Sequence, residues 1–350
     1  MNILYGVCGE GFGHASRSRI LMRYLLSRNH TLCIVAGGKA YQLLSSEFSE
    51  VHKIESAHFV YKNNEVKLIQ TCGKTLYQTL FRAPRSLLTV NRCIQQFQPD
   101  IVITDAEPLC LFASKFHRIP CVSIDNPHAL LFRTYPVKSG EFFPWFLLIM
   151  ALRMTMHGAS KYLVYDFFDQ PSSDERVVFL KPLIQEGIRR QKPCYGRHIF
   201  VYHTIGSNPA ILETLKKTQE TYIIYGMKKS GTEKNVVFKQ FNEHDFFTDI
   251  STAKAVITSG GFTVISEALF LRKPIFCLPI KNQFEQMLNG FWVEQLGAGI
   301  STFSITEEKL AVFLGNLEQY QKHLKSYNPG DQEKTLQTIE QILISLVQKN

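Results

Sequence analysis

The sequence predicts an α/β protein of two domains, each built from parallel strands alternating with helices. Three observations lead there. The chain has 350 residues, room for about two domains of ~150 residues each. Short apolar runs, such as residues 2–7 and 255–258, end in glycine-rich or polar tips and pass at once into segments with helical spacing. That is the pattern of buried parallel strands joined by crossover helices. The pattern also restarts at His198, after the polar, basic stretch 189–197, which reads as a linker. Residues 1–185 are therefore the expected first domain and 196–331 the second. A C-terminal helix, about 332–350, is expected to pack back on the first.

Composition narrows the class. Hydrophobic residues make up 45% and charged residues 20%, which excludes a disordered chain. None of the eight cysteines stands in a Cys-x-x-Cys pair, so neither a zinc motif nor a thioredoxin motif is expected. Several lie inside apparent strands as small apolar fillers, and a reducing, cytoplasmic setting fits them. The N-terminus enters a strand at once, without the basic segment and cleavage site of a signal peptide. The longest apolar run, 142–152, is interrupted by Pro144 and falls short of the ~20 residues that span a bilayer. The net charge of +9 admits anionic partners. No nucleic-acid-binding motif is present, so no nucleic acid is expected.

In the first domain, strand 2–7 leads into Gly9, Glu10, Gly11, Phe12, Gly13 and His14, then a helix to about Ser27 with Ile20, Leu21, Tyr24 and Leu25 on one face. The glycines lack dinucleotide-fingerprint spacing, and no acid closes the second strand, 30–36. His14 stands at the mouth of a strand-to-helix turn. An imidazole there serves as a base near neutral pH, or simply caps the helix. A helix is expected near 40–46 and a strand near 51–55, followed by strand and loop over 59–70. A helical stretch, 74–97, is interrupted by Pro84 beside Arg82 and Arg85. Strand 99–105 ends in Asp105, at the edge where ligands bind in open α/β sheets; a turn-forming role is the plainer reading. Asp125 and Asn126 hold the equivalent tip of strand 121–125. Segment 142–152 reads as a core helix, or as an interfacial one flanked by Arg133, Lys138 and Arg153. Strand 161–165 follows.

In the second domain, strand 198–203 is followed by Gly206 and Ser207, which open a helix as an anion-binding terminus or a plain cap. Strands 221–225 and 235–238 precede Phe241, Asn242 and a helix near 245–251. After strand 255–258 come Ser259, Gly260, Gly261, Phe262 and Thr263. The glycines let backbone turn sharply against a ligand, and the helix that starts there offers free N–H groups to an anion. Glu267 lies about one turn in, where a carboxylate accepts hydrogen bonds from paired hydroxyls such as a ribose carries. Pro274 closes this helix before strand 275–278. Glu285 stands beside Gln286, and Gln286 and Asn289 share one face of the next helix. A loop at 297–299 and a helix over 306–320 precede the C-terminal helix, 332–347.

The set Gly260-Gly261, Thr263, Glu267-Ala268-Leu269, Pro274, Pro279, Glu285-Gln286 and Asn289 resembles the nucleotide-sugar signature of GT-B glycosyltransferases, most of all the MurG-like branch and its UDP-sugar-using relatives. The segment from Gly9 to Arg17 is similar to the glycine-rich first loop of MurG-like enzymes. Glu10 departs from the small residues usual there. The resemblance implies two facing Rossmann-like domains, the GT-B architecture, with a cleft between them. It implies a UDP-sugar donor held by Gly13, Gly206, Ser207, Phe241, Ser259, Gly260, Gly261, Phe262, Thr263, Glu267, Glu285, Gln286 and Asn289. Asn242 and Phe246 join Phe241 as candidates for packing the base. His14 lies beside the acceptor hydroxyl in that family, with Asp105 to orient it and Glu10, Asp125 and Asn126 on the acceptor side. The activity implied is inverting transfer of a hexose or N-acetylhexosamine to a hydroxyl acceptor. A lipid-linked acceptor, with peripheral membrane contact through 142–152 at the inner face of the membrane, belongs to the same picture. Asp-x-Asp is absent, and its nearest approach, Asp105-Ala-Glu107, lies in the other domain, so no metal and no cofactor are expected. A non-hydrolysing UDP-sugar 2-epimerase and a silent nucleotide-sugar-binding module are the alternatives.

Overall fold

A computed structural model describes residues 1–55, 61–62, 65–66, 83–203, 209–227 and 229–349. The chain forms two compact units. The first comprises Met1–Val60, Lys67–Leu183 and Gly330–Asn350; the second comprises Tyr61–Val66 and Ile184–Pro329. Among the described residues the strands, in chain order, are β1 (Asn2–Val7), β2 (Thr31–Gly37), β3 (Val51–Ile54), β4 (Tyr61–Lys62), β5 (Glu65–Val66), β6 (Ile101–Asp105), β7 (Cys121–Asp125), β8 (Lys161–Tyr165), β9 (Val177–Leu180), β10 (His198–Tyr202), β11 (Thr221–Tyr225), β12 (Gly231–Glu233), β13 (Val236–Phe238), β14 (Ala255–Thr258), β15 (Ile275–Cys277) and β16 (Gly299–Ser301).

The first unit is built on a seven-stranded sheet in the order β3-β2-β1-β6-β7-β8-β9, parallel throughout. Its central strands are near-continuous apolar runs because both faces are covered by helices: every residue of β6 and β7 is buried. Register decides where the chemistry sits. Val7 pairs with both Ala36 and Asp105, so the glycine turn after β1 and the Asp105 carboxylate leave the sheet at the same edge. The C-terminal helix Gln332–Gln348 belongs to this unit. Glu340 ties it down, accepting from Tyr24 Oη at 2.8 Å and pairing with His30 Nε2 at 3.0 Å.

The second unit repeats the plan with the order β12-β13-β11-β10-β14-β15-β16. All its neighbouring strands run parallel except the β12–β13 edge hairpin. Its core is aliphatic and aromatic, with Ile199, Val201, Tyr222, Ile224, Ile257, Phe276 and Phe313 packed together. Thr258 pairs with Tyr202 and Cys277. The turn that follows β14 therefore starts from the middle of the sheet's edge.

Several sequence expectations change. Helix Ala83–Phe97 carries Pro84 in its first turn, where its missing N–H costs nothing; residues 74–82 of the expected helical stretch lie outside the described residues. The single helix expected over 306–320 is two, Glu307–Gly315 and Leu317–Lys325. Asn316 separates them, its Nδ2 bonding back to the Val312 carbonyl at 2.7 Å. The expected loop at 297–299 ends in β16. At Gly299 an added Cβ would lie 1.7 Å from the Ile275 carbonyl oxygen, so the glycine marks close strand approach rather than a turn. Strands β9 and β12 were too short for periodicity to reveal. Helix Phe142–Met156 is not a core helix: only Ile149 and Met156 are buried, while Phe143 is 67% and Met154 80% exposed.

Candidate active site

On the first unit, helix Gly13–Ser27 starts directly after the glycine turn. The turn passes so close to the tip of β2 that a Cβ on Gly9 would lie 2.8 Å from the Gly37 carbonyl carbon. That approach sets His14 in the first helical turn above the end of β6. His14 Nδ1 lies 2.7 Å from Asp105 Oδ1. The imidazole is more enclosed than its place at a turn implied, its side chain being 12% exposed.

Asp105 is the hub. It is buried and accepts from Arg17 Nε at 2.8 Å, Arg17 Nη2 at 2.5 Å and Ser18 Oγ at 2.9 Å. Burial alone would raise its carboxyl, but the Arg17 guanidinium and then His14 hold it well below the usual carboxylate range. Burial, and then the Asp105 charge, pushes the neighbouring Tyr5 hydroxyl up. Arg17 Nη2 also lies 2.7 Å from His14 Nδ1. A guanidinium only donates, and so does an Nδ1–H, so both groups converge on the same Oδ1. With Nδ1 protonated towards an ionised carboxylate, the lone pair of the imidazole sits on Nε2. Arg17 also lies over the Tyr165 ring, 5.7 Å from its centroid, which fixes the guanidinium plane.

Asp125 and Asn126 hold the tip of β7. Asp125 is buried and paired to His128, with Nδ1 at 2.7 Å from Oδ2; Ser123 Oγ donates to the same oxygen at 2.8 Å. Burial works against the charge on His128, but the Asp125 charge prevails and raises it. Asn126 Nδ2 donates to the Tyr165 carbonyl at 3.2 Å. Asp125 is thus engaged inside the first unit, whereas the Oδ1 of Asn126 is buried without a partner among the described residues. Glu10 is half-buried and lines a cavity of about 400 Å³ with Gly9, Gly11, Lys39, Tyr41 and Lys53.

On the second unit, β14 ends in Ser259, Gly260 and Gly261, and helix Phe262–Phe270 follows. Gly260 has φ +89°, and a Cβ there would lie 2.9 Å from the Gln286 carbonyl oxygen, so the turn needs glycine. Asn289 is fully buried and donates to the Gly260 carbonyl at 3.0 Å. Gln286 accepts from the Ile280 amide at 3.0 Å. These two signature residues fasten the turns after β14 and β15. The helix terminus at Gly261 has no side-chain cap, and the space beside Gly261 is open. Thr263 and Glu285 are half-buried, Ser259 and Phe262 buried.

Glu267 is 1% exposed and accepts from Gln185 Nε2 at 2.8 Å. Burial pushes its carboxyl up to about 7, with the Gln185 bond pulling the other way. Phe241 is 55% exposed and packs against buried Phe246, ring centroids 5.4 Å apart. Asn242 caps helix Glu243–Thr252, accepting from the Asp245 amide at 3.2 Å. Gly206 and Ser207 lie outside the described residues.

Sequence reasoning missed Arg17, Ser18 and Gln185. Arg17 had a signal: it stands three residues after His14, on the same helical face. Gln185 had none, since 82 residues separate it from Glu267.

Comparison with known proteins bears on the family and the fold. The family model described as glycosyl transferase family 1 matches residues 1–318. An uncharacterised glycosyltransferase of Methanosarcina acetivorans is 26% identical over 333 residues, covering 85% of each chain. Among solved structures, glycosyltransferase VinC in complex with dTDP matches with TM-score 0.63 and 15% identity over 100% of both chains. Arabidopsis thaliana UGT89C1 complexed with UDP matches with TM-score 0.65 and 14% identity over 99% of both chains. Acinetobacter baumannii MurG matches with TM-score 0.61 and 15% identity, over 100% of this chain and 99% of that one. These likenesses concern the fold, which is the GT-B fold of two parallel, helix-covered sheets.

Proposed function

The chain belongs to glycosyl transferase family 1 and is a glycosyltransferase, and from that premise we propose that it moves a hexose or N-acetylhexosamine from UDP to an acceptor hydroxyl, inverting, without a metal. The contact that carries this reading is His14 Nδ1 to Asp105 Oδ1 at 2.7 Å. It leaves Nε2 as a base, anchored through a carboxylate that Arg17 and Ser18 hold still.

In this reading Nε2 takes the acceptor proton as the hydroxyl oxygen attacks the sugar C1. The bond from C1 to the diphosphate oxygen breaks, and UDP leaves with the electron pair. Attack from the face opposite the leaving group inverts the configuration. Charge growing on the diphosphate is met by the backbone amides at the start of helix Phe262–Phe270, aided by its dipole. Gly13, Gly206 and Ser207 are further donor-binding candidates from the sequence, and no side-chain cation or metal is invoked. Glu267 accepts from the ribose hydroxyls, and the exposed Phe241 ring packs the base. The Oγ1 of Thr258 and the Oδ1 of Asn289 are buried without a partner among the described residues; with Glu285 and Gln286 they are the proposed sugar contacts. The pyrimidine diphosphates named with VinC and UGT89C1 support this donor class. Glu10, Asp125 and Asn126 are the proposed acceptor-side residues.

No helix among the described residues is long and apolar enough to cross a membrane. The exposed aromatic side of Phe142–Met156, with Arg153 in its last turn, supports peripheral contact with an anionic membrane and a lipid-linked acceptor. The proposed setting is cytoplasmic, at the inner face.

The test is a panel of UDP-sugars with purified protein, following UDP release with and without hydroxyl acceptors. Release from one UDP-hexose or UDP-N-acetylhexosamine, stimulated by an acceptor and resistant to chelator, is expected. A 2-epimer formed without acceptor, or UDP binding with no turnover on any donor, contradicts it.

A further inference from the structure

Apart from the groups considered so far, three metal-ligating side chains of the first unit converge. Cys33 lies within β2, His52 within β3, and Cys93 on the buried side of helix Ala83–Phe97. Their ligand atoms all lie within 4.8 Å of one another. Cys33 is 2% and Cys93 4% exposed, while His52 is half-buried. His52 stands opposite Val35 of β2, so neighbouring strands bring the imidazole and the Cys33 thiol together, and the helix lays Cys93 over them.

We propose that Cys33, His52 and Cys93 bind a zinc ion. A tetrahedral zinc with Zn–S of ~2.3 Å and Zn–N of ~2.0 Å holds its ligand atoms about 3.5–3.8 Å apart, so closing on the ion takes a shift of roughly 1 Å. Two thiolates and an imidazole suit zinc; magnesium and calcium require oxygen ligands. Water completes the fourth position of the tetrahedron. Binding deprotonates both thiols and releases two protons to solvent. The ion would cross-link β2, β3 and the helix. It is a structural site, separate from the proposed transfer chemistry. No spacing in the sequence announces it, because its ligands come from three separate elements.

Full-length protein prepared under reductant is exposed to zinc chloride, dialysed, and its metal counted by mass spectrometry. About one zinc per chain is expected for the wild type, and below about a tenth for Cys93→Ser and for His52→Asn, as for loss of a structural ligand. His52 is only half-buried, so His52→Asn should retain the fold, which circular dichroism checks. Substitution with cobalt(II) should give a thiolate-to-cobalt charge-transfer band that Cys93→Ser loses. Zinc-free wild type, equal zinc in all three proteins, or a Cys33–Cys93 disulfide formed in place of metal binding would each overturn the proposal. None of these readouts depends on glycosyl transfer.

Discussion

His14 and Arg17 compete for one carboxylate, and their division of labour can be measured. His14→Asn keeps a hydrogen-bonding side chain but removes the base, so turnover should fall by about 10²–10⁴-fold. UDP affinity by calorimetry should stay the same, since His14 has no part in holding the donor. Arg17→Lys keeps the charge but loses the fork that fixes both Asp105 oxygens. Its turnover should fall by roughly tenfold or more while the KM for donor holds; a matching rise in donor KM would place Arg17 elsewhere. Glu267 makes a pH prediction. Burial pushes its free carboxyl up to about 7, and the ionised form accepts best from two hydroxyls. Uridine, which has no phosphate to titrate, should bind more tightly as pH rises from about 6 to about 8, releasing a proton below the midpoint. Glu267→Gln should flatten that dependence. Of these residues, His14, Asp105 and Glu267 were legible because each follows a strand tip at a fixed offset. Arg17 shares a helical face with His14, but its inward turn is set by Asp105 on a different strand.

At the level of elements, strand and helix order was readable wherever apolar runs were long and punctuated by glycine or proline. It failed where elements were short or where glycine served packing. Gly299 shows this, since its role follows from the Ile275 carbonyl on a neighbouring strand. Helix Phe142–Met156 shows the opposite limit. It is apolar on nearly every side, so periodicity offered no face to bury, and only the structure reveals Phe142, Phe143, Phe146, Met150 and Met154 exposed. Phe143→Glu with Met154→Glu should abolish co-sedimentation with vesicles of anionic phospholipid while leaving the melting temperature within a few degrees, as surface changes do. Unchanged sedimentation would remove this helix from any membrane contact.

Across the whole molecule, two sheets of one plan carry different chemistry at equivalent edges. The first unit offers an imidazole and its carboxylate after β1 and β6; the second offers a helix N-terminus without a side-chain cap after β14. The first unit also depends on the chain's far end. Glu340, on the C-terminal helix, gathers Tyr24, Arg28 and His30. Burial would raise its carboxyl, but bonds from Tyr24 and His30 and the Arg28 charge lower it. A carboxyl lowered in the folded state stabilises at pH above its unfolded value and loses that contribution as pH falls through the folded one. Glu340→Gln should therefore lower the melting temperature at neutral pH, with the gap to wild type closing below about pH 4. That dependence was not legible beforehand, because the apolar spacing of the last helix shows that it buries a face but not which polar groups it meets.

The most direct test is a crystal structure with UDP bound. The diphosphate should lie within about 3 Å of the Gly261 and Phe262 amides, with the ribose hydroxyls on Glu267 and no metal between the phosphates and the protein. UDP bound away from Gly261 and Glu267, or held through a coordinated cation, would contradict the proposed donor site.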